Sequence, residues 1–441
     1  MMTLPENHEQ RFHLSNEVHA RPPEPLSGAV KLSCIALTTA WPYSDADRQV
    51  VAELTRRYGA TPPGPGVKHY SVDLKDFRLI WERHTEFTRY TFIVPAKNGD
   101  AFSPSTISAA PADWIKSLPG ELIVATHAAL LPAEGEIPAP GALSEQYFSA
   151  NALIGAAIAG DAGVTITDFR LHADGFSRFL LLNRNMTPWH AGRIVQRLLE
   201  IETYRIMALL ALPVAQALVP KLSAWEAELS EITDAMTLAG ADDEARLLNR
   251  LTALEAAIEK SHTQTQFRFG AAAAYYALVQ RRIGELREVR LSDMQTFHEF
   301  TERRLAPAME TCISISRRQS ALSERVDRAA QLLSAKVDKA LQLQNGQILE
   351  SMNTRAELQL RLQQTVEGLS VAAITYYMVG VVGYFAGGLA AAGVAVDPKF
   401  AMGLAVPVAL GLAVYGVWRT HRELAGHGDK KTTTVTPRRS G

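Results

Sequence analysis

Hydrophobic positions change their period once along this chain. Over roughly the first 185 residues, short runs alternate apolar and polar side chains as strands do. Beyond Thr187, apolar residues recur every three or four positions as they do on helices. Gly28 to Thr39 (GAVKLSCIALTT) is apolar and β-branched enough for a strand, and Ser44 to Tyr58 carries helix spacing behind a Ser-Asp-Ala-Asp start. After the turn cluster TPPGPG, the stretches 68–74, 77–83 and 87–94 read as successive strands with hairpin-like joins, and 121–129 as another. Stretches 153–158, 164–171 and 178–183 complete the set, separated by Gly-Asp-Ala-Gly and Ala-Asp-Gly turns.

Pro188 suits a first helical turn, and Ala, Leu, Glu, Gln and Arg dominate from there on. The spacing predicts helices over 188–238, bent near Pro213 and Pro220, then 243–260 and 265–305, with a kink at Pro307. A last helix begins near Ala308 and runs to about residue 390, roughly 120 Å at 1.5 Å per residue. Its stripe of Leu322, Val326, Ala329, Leu333, Val337, Leu341, Ile348, Met352, Leu362 and Val366 asks for partners along the whole length. Asn345 falls where an apolar residue is due, with Asn353 about two turns on. Asparagine there fixes register in a helix seam, rings an ion path, or simply faces solvent.

Two stretches then lose charge altogether. Gly368 to Val396 has no charged side chain and, after Asp397-Pro398-Lys399, neither has Phe400 to Trp418. About 20 apolar residues cross a bilayer core as a helix. The expectation is a two-helix transmembrane hairpin. Arg355 and Arg361 precede it, and Arg419, Arg422, Lys430, Lys431, Arg438 and Arg439 follow it, so the positive-inside rule puts both flanks and both termini in the cytosol of a bacterial inner membrane. Tyr376, Tyr377, Tyr384, Tyr415 and Trp418 include interfacial anchors. Gly380, Gly383 and Gly387 suit close helix packing. Ser370, Thr375 and Tyr377 are the few polar groups a pore would use. The apolar segment 207–218 is too short for a span and holds Pro213, which predicts a buried helix instead.

The expected fold class is thus α+β: an N-terminal arm over 1–27, a mixed α/β domain over 28–186, a helical bundle and stalk over 187–366, a membrane hairpin over 367–418, and a basic tail over 419–441. Composition adds exclusions. With 45 basic against 46 acidic residues there is no nucleic-acid footprint, and the basic tail suits anionic headgroups. Cys34 and Cys312 form no CxxC pair, which fits a reducing compartment. The N-terminus lacks the basic and apolar regions of a signal peptide. No phosphate loop, nucleophile elbow or metal-ligand spacing occurs, so neither a catalytic residue, a metal nor a cofactor is assigned, and turnover is less expected than binding. The best candidate for ligand binding is the arm, where Asn16, Glu17, His19 and Arg21 combine a titrating imidazole with an anion-binding guanidinium. These groups would equally be satisfied if the arm docked on its own domain.

The phrases RFHLSNEVHARPPEPL (11–26) and QNGQILESMNTRAELQLRLQQTVEGLSVAAITYYMVGVVGY (344–384) resemble the signatures of an uncharacterised family of bacterial membrane-anchored proteins, a domain of unknown function. The layout of α/β domain, bundle, very long helix, two C-terminal spans and basic tail is also similar to the CorA family of magnesium channels. That second resemblance implies a homo-oligomer, a pentamer in that family, whose first span lines a pore. A Gly-Met-Asn triplet closes that helix in CorA, whereas here its end reads Val382-Gly383-Tyr384-Phe385-Ala386-Gly387-Gly388. Two functions follow as expectations: an oligomeric CorA-like transporter without that filter, or a membrane-tethered scaffold that binds a ligand or partner.

Overall fold

The computed structural model describes residues 5–18, 22–39, 45–96, 101–133, 135–238, 241–393 and 395–428. They form two compact units, residues 1–333 and 334–441. The change of composition at 187 therefore marks where helices succeed strands within one unit. The fold is α+β.

In chain order the first unit holds α1 (Arg11–Val18), β1 (Val30–Thr38), α2 (Ala46–Arg57), β2 (His69–Leu74), β3 (Phe77–Arg83), β4 (Phe87–Pro95), a 3-10 turn (Thr106–Ala109), α3 (Ala112–Lys116) and β5 (Glu121–Pro132). It continues with α4 (Pro140–Tyr147), β6 (Ile154–Ile158), β7 (Gly163–Thr167), β8 (Ser177–Asn183), α5 (Pro188–Leu209), α6 (Ala211–Leu238), α7 (Ala241–Leu286), β9 (Val289–Arg290) and α8 (Phe297–Arg304). Then α9 (Ala306–Ala391) begins in the first unit and ends in the second, which also holds α10 (Pro398–Gly428).

All nine strands among the described residues make one sheet in the order β2-β3-β4-β1-β5-β8-β7-β6-β9. Every pairing is antiparallel except the parallel β5–β8 contact at its centre. Period-two alternation sends side chains to both faces. Leu32, Cys34 and Ala36 of β1 and Phe87 and Ile93 of β4 join the core shared with α5, α6 and α7. Ile35, Leu37, Tyr90 and Phe92 pack instead beneath α2 and α3 around Trp81 and Trp114. A third cluster, with Phe102, Leu143, Phe148, Val164 and Leu180, sits under α4.

The helical half departs from its expected boundaries in several places. The arm carries α1 where an extended segment or loop is expected. The bend expected near Pro213 falls at Leu210, because proline in the first turn of α6 costs no helical hydrogen bond, and Pro220 lies inside α6. Helix α7 runs unbroken through 261–264. It ends at Leu286, so the helix expected over 265–305 is in fact three elements. The cause is local: Thr296 and Glu299 form a reciprocal capping box, while the Glu288 carboxylate accepts from the N–H groups of Phe297 (2.7 Å) and His298 (3.0 Å). Those bonds start a new helix. Pro307 lies in the first turn of α9, and the break expected there falls two residues earlier, at Leu305 between α8 and α9.

Among the described residues, three helical stretches are long and apolar enough to cross a membrane: 188–238, α9, and α10 up to Arg419. The first is core. Ile194, Leu198 and Ile201 of α5 and Leu218 and Leu222 of α6 are fully enclosed or nearly so. The apolar windows of α9 and α10 bury only 6% and 11% of their residues.

Candidate functional site

The richest polar constellation lies on the outer face of the sheet, between the cluster under α2 and α3 and the cluster under α4. Strand register builds it. Ser33 of β1 pairs with His127 of β5, and His127 with Arg178 of β8, so three polar side chains form a row across neighbouring strands. Ser33 Oγ lies 2.9 Å from His127 Nδ1 and accepts the N–H of Ile107 at 3.1 Å. The Ser33 hydroxyl and the imidazole share that bond, its donor set by the histidine tautomer, and His127 Nε2, 3.7 Å from Asp174 Oδ2, makes no hydrogen bond among the described residues. The ring stacks on Phe176 at 3.9 Å. Burial pushes the imidazole down to about 4, against the opposing pull of Asp174. His127 is neutral at physiological pH.

The connection between β7 and β8 supplies the rest. Burial alone would raise the Asp174 carboxyl, but the N–H of Phe176 and the Arg178 guanidinium outweigh it and leave it below the usual carboxylate range. Arg178 donates to Asp174 at 3.2 Å and to the Tyr147 carbonyl at 2.8 Å, and stacks over Phe102. Further along, the enclosed Asp168 carboxylate accepts from Asn151 Nδ2 (2.8 Å) and from the N–H of Arg170 (3.2 Å). His172 Nε2 stands 3.1 Å from Asp168 Oδ2, and His172 Nδ1 lies 3.4 Å from Ser149 Oγ. The His172 ring is held by its backbone, which donates to Phe176 O and accepts from Gly175 N at the tip of the turn. Gly175 takes a φ of 81° there, which glycine adopts without strain.

A second polar feature lies on the opposite face. The Glu82–Arg89 pair is buried, with 2.5 Å between Arg89 Nη2 and Glu82 Oε2. Arg89 Nη1 has no hydrogen-bond partner among the described residues. Burial would raise the Glu82 carboxyl, but the charge and hydrogen bond of Arg89 together with the charges of His84 and His69 outweigh it and hold it below its ordinary value. Beside the pair is a cavity of about 40 Å³ lined by Pro22, Glu24, His69, Arg89 and Gln196, among others, room for about one water. Residues 22–26 form its strap. Leu26 N donates to Pro188 O, Arg78 grips Glu24 at 2.9 Å, and the Glu24 carbonyl crosses Gly192 so closely that a Cβ there would sit 1.7 Å from it. Only glycine fits at 192.

Of the arm residues singled out in the sequence, His19 and Arg21 lie outside the described residues, as do the side chains of Asn16 and Glu17, whose backbone lies in α1. Lys430, Lys431, Arg438 and Arg439 of the tail also lie outside them. In the second unit, Asn345 and Asn353 are exposed on α9. Ser370 donates to Val366 O (2.8 Å) and Thr375 to Val371 O (2.7 Å), so both hydroxyl protons are used within the helix. Tyr377 is exposed, edge-on to Tyr376. Gly383 faces Met402 of α10, whose Sδ lies 2.7 Å from where a Cβ would be, whereas Gly380 and Gly387 face open space. Asp397 accepts from Lys399 N in the turn. The described residues contain no group of three His, Cys, Asp or Glu side chains able to hold a metal. Cys34 and Cys312 are buried free thiols.

Ser33, His127, Ser149, Asp168, His172, Asp174 and Arg178 were not legible as a site beforehand. The one signal was the density of charged and histidine residues in Asp168-Phe-Arg-Leu-His-Ala-Asp-Gly-Phe-Ser-Arg178, more than a plain hairpin turn requires. No curated protein matches the chain. The family match that does exist carries no activity and no kinship with CorA. Residues 6–424 match the family described as protein of unknown function (DUF3422), and the chain belongs to that family.

Proposed function

We propose that the protein is a membrane-tethered binding scaffold, held in a bacterial cytoplasmic membrane by two spans, the apolar end of α9 and α10. Its two flanks and the folded first unit lie in the cytosol. The observation that carries this reading is the pair of apolar helices left almost wholly unburied by their own chain. Leaving that much hydrocarbon in water would be costly at roughly 25 cal/mol per Å². A lipid bilayer covers it instead. The basic residues flanking the spans supply the orientation, and anionic headgroups their counter-charge.

Tethering is favoured over conduction by the polar groups of the first span. At about 100° per residue, Ser370 and Tyr377 share a face, but Thr375 lies about 140° around the helix from Ser370. Both hydroxyls already donate to their own backbone. A cation path needs oxygens along one line. Self-association is part of the proposal, because Leu341, Ile348, Met352, Leu362 and Val366 stay exposed on α9, with Asn345 in the same seam. Full-length protein in reconstituted vesicles tests the choice: resistance to alkaline extraction without cation flux supports the tether, flux above protein-free vesicles replaces it with the channel, and release by alkali removes both.

A further inference from the structure

The turn that follows α4 brings an exposed serine to the buried His172–Asp168 pair. We propose that Ser149, His172 and Asp168 form a serine acyl-transfer site that hydrolyses small, solvent-accessible carboxylic esters. This goes beyond the tethering role and does not depend on it.

The three side chains stand in the order the chemistry needs. Ser149 Oγ lies 3.4 Å from His172 Nδ1, and His172 Nε2 lies 3.1 Å from Asp168 Oδ2. Nδ1 faces the Ser149 hydroxyl, while Nε2 is buried beside the carboxylate without a hydrogen bond among the described residues, so a turn of the ring that aligns an Nε2 proton with Asp168 leaves Nδ1 free as the base. Asp168 is enclosed and held by Asn151 and the N–H of Arg170, which fixes the carboxyl group beside the ring. Ser149 is exposed and sits at a φ of 54°, a left-handed conformation uncommon outside glycine and enriched at functional sites. Bonds from Ala150 N to Ser144 O and from Asn151 N to Phe148 O close this turn. The N–H of Ser149 itself has no hydrogen-bond partner among the described residues and is the donor available to an oxyanion.

In the first step Ser149 Oγ bonds to the ester carbonyl carbon as its proton passes to His172 Nδ1. The tetrahedral oxyanion then collapses, the carbon–alkoxide bond breaks, and His172 returns the proton to the leaving alcohol. Water enters next, giving one proton to His172 and its hydroxyl to the acyl carbon; the acyl carbon–Oγ bond then breaks, and His172 returns the proton to Ser149 Oγ as the carboxylic acid leaves. Asp168 is a positioning residue that steadies the imidazolium. Because Ser149 stands on an open turn, short acyl groups such as acetate fit it better than a buried chain would.

The test treats full-length protein in detergent with a fluorophosphonate probe and with p-nitrophenyl acetate. The expected result is a covalent adduct mapped to Ser149 by peptide mass spectrometry, lost in Ser149→Ala and slowed about 100-fold or more in His172→Asn. Asp168→Asn should lower kcat and leave KM nearly unchanged. Ser149→Ala removes only one exposed oxygen, and its unfolding midpoint should match that of the parent. No adduct at Ser149, or an adduct formed equally fast in folded His172→Asn, overturns the proposal and makes the cluster structural.

Discussion

Residues 306–333 and 334–391 belong to one helix and share one apolar spacing, yet they have opposite surroundings. In the first stretch Leu322, Val326 and Leu333 are at most 1% exposed, and Arg318 and Gln319 are tied to Glu226 of α6 and to Ser261 and Thr265 of α7. In the second, Leu341 and Ile348 are 52% and 51% exposed, and Leu362 is 68% exposed. Periodicity says which face of a helix is apolar. Only the neighbouring elements say what covers it: protein in the first unit, and on our proposal a second copy and lipid in the other.

The comparison breaks most readily by removing one buried and one exposed member of the stripe. Leu322→Ala should cost about 2–5 kcal/mol of first-unit stability by denaturant titration, as expected for a buried leucine. Ile348→Ala in the detergent-solubilised monomer should stay within about 0.5 kcal/mol. Equal losses would mean that the second stretch is covered by its own chain.

Acid separates the two units differently. His127 is held neutral down to about pH 4, while in the unfolded chain it gains its proton near 6.5. The unfolded state therefore binds more protons between those values, and stability falls as pH drops through that window, by up to about 3 kcal/mol. Melting followed at Trp81 and Trp114 should show this slope, His127→Asn should flatten it, and the helical signal of the second unit should not share it.

Within the second unit, Gly383 and Gly380 make a smaller contrast. Gly383→Ile forces a side chain into Met402 and should destabilise the helix hairpin by about 1–3 kcal/mol, while Gly380→Ala should change little. Detergent-denaturant titration of the hairpin reads both. The smallest effect belongs to Asn345→Leu. If copies associate through the seam, sedimentation velocity should show tighter assembly or a shifted oligomer number, because a polar residue there sets register at the expense of stability. An unchanged distribution would place Asn345 outside the interface.

Strands β1 to β8 were legible because their alternation and turn residues are local, and the two apolar runs because length alone identifies them. Boundaries in 261–305 were not, since the break at Leu286 depends on Glu288 reaching the start of a helix about ten residues on. The polar site was hidden for a similar reason. Ser33 and His127 are far apart in sequence and meet only through strand register, and the parallel β5–β8 pairing that adds Arg178 leaves no mark on either strand.

The most direct test of the tethering claim is the side of the membrane reached by the turn between α9 and α10. A Lys399→Cys variant, in which the two native cysteines are buried, can be exposed in intact cells to a maleimide that penetrates the outer but not the inner membrane. Two spans with cytosolic flanks predict labelling at residue 399 before lysis. Labelling only after lysis would place the turn in the cytosol and contradict the account.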